Sequence, residues 1–141
     1  MSQVQVFVIP GAPVPKPRQT RRDRWMQRPE VMAYRAWADQ VRRVCGADGR
    51  APAYELRFFL PIPQSYPKKR RSTLRGGPHQ LKPDIDNLVK AALDALLPDG
   101  DQKVCRLRAL KCWEDEKGPR TEIIPWGSWS QAAPRSWFPT G

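Results

Sequence analysis

The sequence predicts a single α+β domain, a mixed β-sheet of about four strands with two main helices. Three observations carry this. The stretches from Val4 to Ile9 and from Tyr54 to Leu60 alternate in the manner of half-buried strands, and two further strand-like runs follow Val104. Two longer stretches repeat apolar residues at helical spacing. The chain has 141 residues, enough for one core with little room for a second. The domain is expected over residues 1–125, with an aromatic, Pro-rich tail over 126–141.

After the first strand, Pro10-Gly-Ala-Pro-Val-Pro-Lys16-Pro-Arg18 is stiff and turn-prone, and basic residues continue through Arg21, Arg22 and Arg24. As a plain loop it would carry solvated charges. As an arm on a nucleic-acid backbone, its Arg and Lys would release counterions, and Trp25 could stack on a base or anchor the loop. Pro29 suits the first turn of a helix running to about Val44. Val31, Tyr34, Trp37, Ala38 and Val41 form its inner face; Gly46 and Gly49 end it. The strand from Tyr54 leads to the most cationic segment, Ser65 to Gly77, which holds Lys68, Lys69, Arg70 and Arg71. Charge runs are usually solvated, but this one lies a few residues before a cluster of aspartates, the charge plan expected of a nuclease.

That cluster lies in Lys82 to Val104. Pro83 keeps Lys82 out of the helical region, Asp86 to Leu97 contains neither Gly nor Pro, and Pro98 closes the helix. Asp86, Asn87, Lys90 and Asp94 fall within an arc of roughly 100°, and the other eight positions are apolar. The expectation is a nearly buried helix with a narrow charged stripe, Asp84 just before it and Asp101 in the turn beyond. A buried stripe of like charge needs a neutralising group, either Lys90 or a divalent cation. Simpler readings compete. One aspartate could cap the helix, Asp86, Lys90 and Asp94 could be ordinary ion pairs, and Asp99 and Asp101 could serve the turn. Two aspartates cannot both cap one helix start.

Val104 to Trp113 alternates apolar with basic residues, giving a strand with one positive face. Glu114 to Pro119 reads as a hairpin turn and Thr121 to Pro125 as a return strand, so antiparallel pairing is expected there. The tail holds Trp129, Trp137 and Phe138, which suits docking on its own core or on a second subunit.

The net charge of +11 points to a polyanionic partner, nucleic acid before membrane, because no run approaches the length of a spanning helix. The N-terminus lacks the pattern of a signal peptide. Cys45, Cys105 and Cys112 have no metal-ligand spacing and read as reduced thiols of a cytoplasmic protein. With His79 the only histidine, His-based triads and His-rich zinc sites are disfavoured.

The run Lys82-Pro-Asp-Ile-Asp-Asn-Leu-Val-Lys90, with Ala91-Ala-Leu-Asp94-Ala-Leu96, the opening Ile9 to Arg18 and Ser65-Tyr-Pro-Lys-Lys-Arg70, resembles the RusA-like Holliday junction resolvases, many of them phage- or prophage-encoded. The resemblance runs to about residue 113. It implies a magnesium-dependent homodimeric endonuclease (manganese a possible substitute) that nicks four-way junction DNA in symmetrically related strands. It also implies Asp84 and Asp86 as metal ligands, Lys90 as the catalytic lysine and Asp101 as the third acidic residue. The family's adjacent Asp-Asp is here Gly100-Asp101, with Asp99 one step earlier, so Asp99 competes for that role. Lys16, Arg18, Lys68, Lys69, Arg70 and Arg71 are the expected DNA contacts. Two other readings stand beside it: a non-catalytic nucleic-acid-binding module, and a nucleotide-sugar transferase holding manganese on Asp-x-Asp. The second normally needs a larger nucleotide-binding domain than this whole chain.

Overall fold

A computed structural model of the chain describes residues 5–17 and 28–127. Its elements are β1 (Phe7–Pro10), α1 (Pro29–Cys45), a short 3-10 turn (Gly46–Gly49), β2 (Ala53–Leu60), α2 (Lys68–Leu74), α3 (Ile85–Leu96), β3 (Arg106–Trp113) and β4 (Arg120–Trp126). The four strands form one mixed sheet in the order β1-β4-β2-β3, with β1–β4 and β4–β2 antiparallel and β2–β3 parallel. Four strands and the two main helices fall within a few residues of their expected bounds, and the fold is α+β as the sequence predicts. Arg18, Trp25 and the tail from 128 onward lie outside the described residues.

The expected hairpin between the last two strands does not form. A tight turn is present, with Gly118 N–H donating to the Asp115 carbonyl at 3.0 Å, but β4 crosses to the far side of β2 and never pairs with β3. Burial explains the order. Ile123 and Ile124 of β4 are almost wholly buried and need a central place, whereas Arg106, Leu107 and Arg108 at the start of β3 are exposed and suit an edge. The parallel pairing of β3 with β2 then requires a long crossover, which α2 and α3 supply.

Alternation along β2 sends Tyr54, Leu56, Phe58 and Leu60 to one face, where they join Ile9 and Ile123 beneath α1 and α3. Helix α1 contributes Tyr34, Trp37, Ala38, Val41 and Cys45, and α3 contributes Leu88, Ala91, Ala92, Leu93, Ala95 and Leu96. The Tyr34 hydroxyl donates to the Ala91 carbonyl across the helix pair, and burial pushes that phenol above its ordinary range. Gly49 closes the turn after α1 because a Cβ there would lie 2.5 Å from the Cβ of Cys45.

Candidate active site

Helix α3 begins at the end of the sheet where β2 and β3 finish. That end is held by Ile62 N–H donating to the Glu114 carboxylate (3.0 Å), Gly76 N–H to the Glu114 carbonyl (3.0 Å), Trp113 N–H to Gly77 (2.9 Å) and His79 N–H to Lys111 (3.1 Å). Residues 77–79 thus run along the outer edge of β3, and the chain turns from there into Asp84. Asp84 occupies the N-cap position in extended conformation, yet its side chain makes no capping hydrogen bond. Its oxygens accept instead from the Lys82 ammonium at 2.8 and 3.0 Å. That hydrogen bond and charge hold the Asp84 carboxyl below its ordinary range and raise the Lys82 amine. Asp86, in the first turn, accepts from the Asn87 N–H at 3.0 Å. Lys90, one turn on, is exposed and makes no ion pair with another described residue. The capping reading therefore fails for Asp84, while Asp86 satisfies one first-turn N–H, and the helix ion-pair reading fails for Asp86 and Lys90.

The stripe itself is not buried. Asp86, Asn87 and Lys90 face solvent and only Asp94 is half-buried, because the helix covers the sheet with one side alone. Neutralising a buried stripe is thus no argument for a cation here. What remains is two exposed, hard-oxygen carboxylates two residues apart, with the partial positive charge of a helix start beneath them. Asp94 binds Lys16 rather than Lys90, so Lys16, expected on DNA, here clips the N-terminal loop to α3.

The cationic run, expected as a basic flank for DNA, folds into the seven-residue helix α2. The Arg70 guanidinium lies 3.9 Å over the Tyr66 ring, and Lys68, Lys69, Arg71, Ser72 and Arg75 line a shallow groove. Arg75 reaches the Asp115 carbonyl at 3.5 Å, which sets this basic surface at the same end of the sheet as Asp84 and Asp86.

Asp101 is elsewhere. A helix of this length rises about 18 Å, and Asp101 lies past its far end. There Gly100 N–H bonds the Leu97 carbonyl, Val104 N–H bonds that of Asp101, and Cys105 N–H bonds that of Pro52 at the start of β2. Asp99, its competitor, pairs with Arg50 at 3.7 Å. Among the described residues no three His, Cys, Asp or Glu side chains gather closely enough to hold a metal ion, so the expected convergence of Asp84, Asp86 and Asp101 does not occur within one chain. The pair Asp84 and Asp86 still fits magnesium, which takes one or two carboxylates and keeps several waters.

Sequence reasoning overlooked two groups at this end. Lys111 donates to the carbonyls of Leu81 (2.6 Å) and Pro83 (2.8 Å), just before Asp84. The only trace of this in the sequence is a break in phase. Arg106 and Arg108 share the positive face of β3, while Lys111 is paired with Phe58 on the helix side. Arg120 is nearly buried, stacked 3.8 Å over Phe59 and hydrogen bonded to Asp115 and Glu122. Its guanidinium, by hydrogen bonding, draws the Asp115 carboxyl down to about 2.

Fold and site together define a strongly basic α+β domain that sets exposed carboxylates at a helix start and a cationic helix at the same end of its sheet, the layout of an enzyme acting on a polynucleotide. The chain matches the family described as Endodeoxyribonuclease RusA over residues 10–124. It belongs to that family, and the matched span includes α2, all of α3 and Asp101. No curated protein matches the chain. Among the described residues no helix is long and apolar enough to cross a membrane.

Proposed function

We propose that this chain is a magnesium-dependent, structure-selective endodeoxyribonuclease that resolves four-way DNA junctions by paired symmetric nicks. It would act in recombination and repair as a homodimer, in the cytoplasm of a bacterial or phage-infected cell. The observation that carries the reading is the pair Asp84 and Asp86: exposed at the start of α3, Asp84 without a capping bond and neither paired with Lys90, in a chain of an endodeoxyribonuclease family.

Asp84 and Asp86 would hold the ion. Magnesium bound there would supply an activated water and neutralise charge developing on the phosphate. Lys90, without an ion pair among the described residues and within reach of the same surface, stabilises the pentacoordinate phosphate or protonates the leaving oxygen. Lys68, Lys69, Arg70 and Arg71 engage phosphates and not bases, so recognition follows junction shape and falls with salt. A junction has two-fold symmetry, and two matched nicks call for two active sites related by an isologous interface. Such a dimer also accounts for the distant acid. Two copies of α3 laid antiparallel about a two-fold axis would bring Asp101 of the partner subunit to Asp84 and Asp86.

The reading is tested on synthetic four-way junction, flap and linear duplex, each with and without magnesium. Wild type nicks the junction only with the metal. Asp84→Asn and Asp86→Asn keep junction binding and lose nicking. Wild-type rates in both variants would leave a non-catalytic DNA-binding module as the better description.

A further inference from the structure

We propose that Lys111 is a positioning residue for the carboxylates of α3, fixing through two backbone carbonyls the turn that delivers Asp84. The inference rests on the metal-site reading above. Besides this lysine, the turn is held by the bridge of Pro78 to Cys112 and by the His79 ring at the Leu81 backbone. It runs Pro78-His79-Gln80-Leu81-Lys82-Pro83, and its two prolines have no N–H to donate. Its start is tied to β3 by His79 N–H on the Lys111 carbonyl, and the His79 ring packs 4.2 Å from Trp113. Its end is tied by the Lys111 ammonium, at 2.6 Å from the Leu81 carbonyl and 2.8 Å from that of Pro83. Main chain and side chain of one strand residue thus grip both ends of the same turn.

The location of this lysine makes little sense otherwise. It is paired with Phe58 on the helix side of the sheet, between Ala109 and Trp113, where an apolar residue would pack against α3. Its ammonium has three donors, two of them spent on carbonyls that bracket Lys82, the residue whose own ammonium holds the Asp84 carboxylate. Lys111 therefore acts on Asp84 through the backbone and, more weakly, through its charge, which helps hold the Asp84 carboxyl down. Groups that orient metal ligands in this indirect way cost on the order of 10–100-fold in metal affinity when removed.

The test uses the full-length protein with Lys111→Met, which keeps the length of the side chain and removes its donors. Calorimetric titration of Mn2+ into the DNA-free protein reads the site without turnover. Amide hydrogen exchange reads the order of residues 84–88. The expected result is Mn2+ binding weakened by about 10–100-fold, faster exchange in that segment, and unchanged binding of the four-way junction in EDTA. Nicking should need proportionally more metal and recover much of its rate at saturation. Lys111→Arg, which keeps donors and charge, should restore most of the affinity. Equal Mn2+ affinity and exchange in wild type and Lys111→Met overturns the proposal. If wild type itself binds no Mn2+, the metal-site reading fails and the proposal falls with it. Should Lys111→Met not fold, Lys111→Leu, which also lacks donors, is titrated instead, and wild-type affinity there also overturns it.

Discussion

The two ends of α3 carry the same kind of residue and use it differently. At its start, Asp84 and Asp86 are exposed and Asp84 makes no capping bond; among the described residues an exposed lysine, Lys82, is the one cation bonded to either of them. Toward its end, Asp94 is bound by Lys16 from the N-terminal loop and Asp99 by Arg50. The late aspartates fasten one segment to another. The early ones stand near Lys90, which has no ion pair among the described residues, at the same end of the sheet as the cationic α2 and on the partial positive charge of the helix start. Composition cannot separate these roles, since every one of these residues is an aspartate on or beside one helix. The partner each side chain finds separates them.

Asp101 belongs to neither group, and it gives the sharpest way to break the comparison. Asp84→Asn and Asp101→Asn, each as a homodimer, should nick more slowly by on the order of 10³-fold, since bound metal contributes several kcal/mol to the transition state. Co-expressed, they form mixed dimers. If the partner subunit supplies Asp101, each mixed dimer keeps one intact site and single-strand nicking returns; a mixture as inactive as its parents would show that each site draws on one chain alone.

A smaller loss is expected at Lys90. Lys90→Met should lower the nicking rate by about 10²–10³-fold, the usual effect of removing one electrostatic stabiliser, while junction affinity in a gel shift stays the same. A drop in affinity instead would make Lys90 a DNA-binding group. Replacing Lys68, Lys69, Arg70 and Arg71 together by glutamine should leave chemistry intact at saturating enzyme. The slope of log affinity against log salt should fall by about 1 for each phosphate no longer engaged; an unchanged slope would put the DNA elsewhere.

The smallest effect concerns stability. Arg120 holds the Asp115 carboxyl near 2 against an ordinary value of 3.8. Its native pKa is depressed, so the contribution is present in full above the ordinary value and is lost as pH falls toward 2. Asp115→Asn should lower the melting temperature at neutral pH by a few degrees and flatten its decline between pH 4 and 2. Since the carboxyl is partly solvated, screening keeps the effect modest. A parallel pair of pH curves would show that the ion pair contributes nothing to stability.

The helices and strands were legible in the sequence because each follows from a local pattern. The 3/4 spacing from Val31 to Val41 makes α1, the Gly- and Pro-free run from Asp86 makes α3, and alternation from Tyr54 makes β2. The Lys82 to Lys90 motif likewise pointed to the candidate site, since its residues are neighbours in the chain. Helix α2 was hidden because its seven residues bury no apolar face and so leave no periodic signal. What the tertiary structure alone decided was pairing. Strand β4 crosses β2 because its isoleucines need burial on a central strand. Asp94 finds Lys16, 78 residues away, and Lys111 finds the turn before Asp84. Asp101 ends up a helix length from the aspartates it was expected to join. A run of residues specifies its own backbone through contacts a few positions away, whereas these partners depend on how the whole chain closes around one core, and no local pattern encodes that.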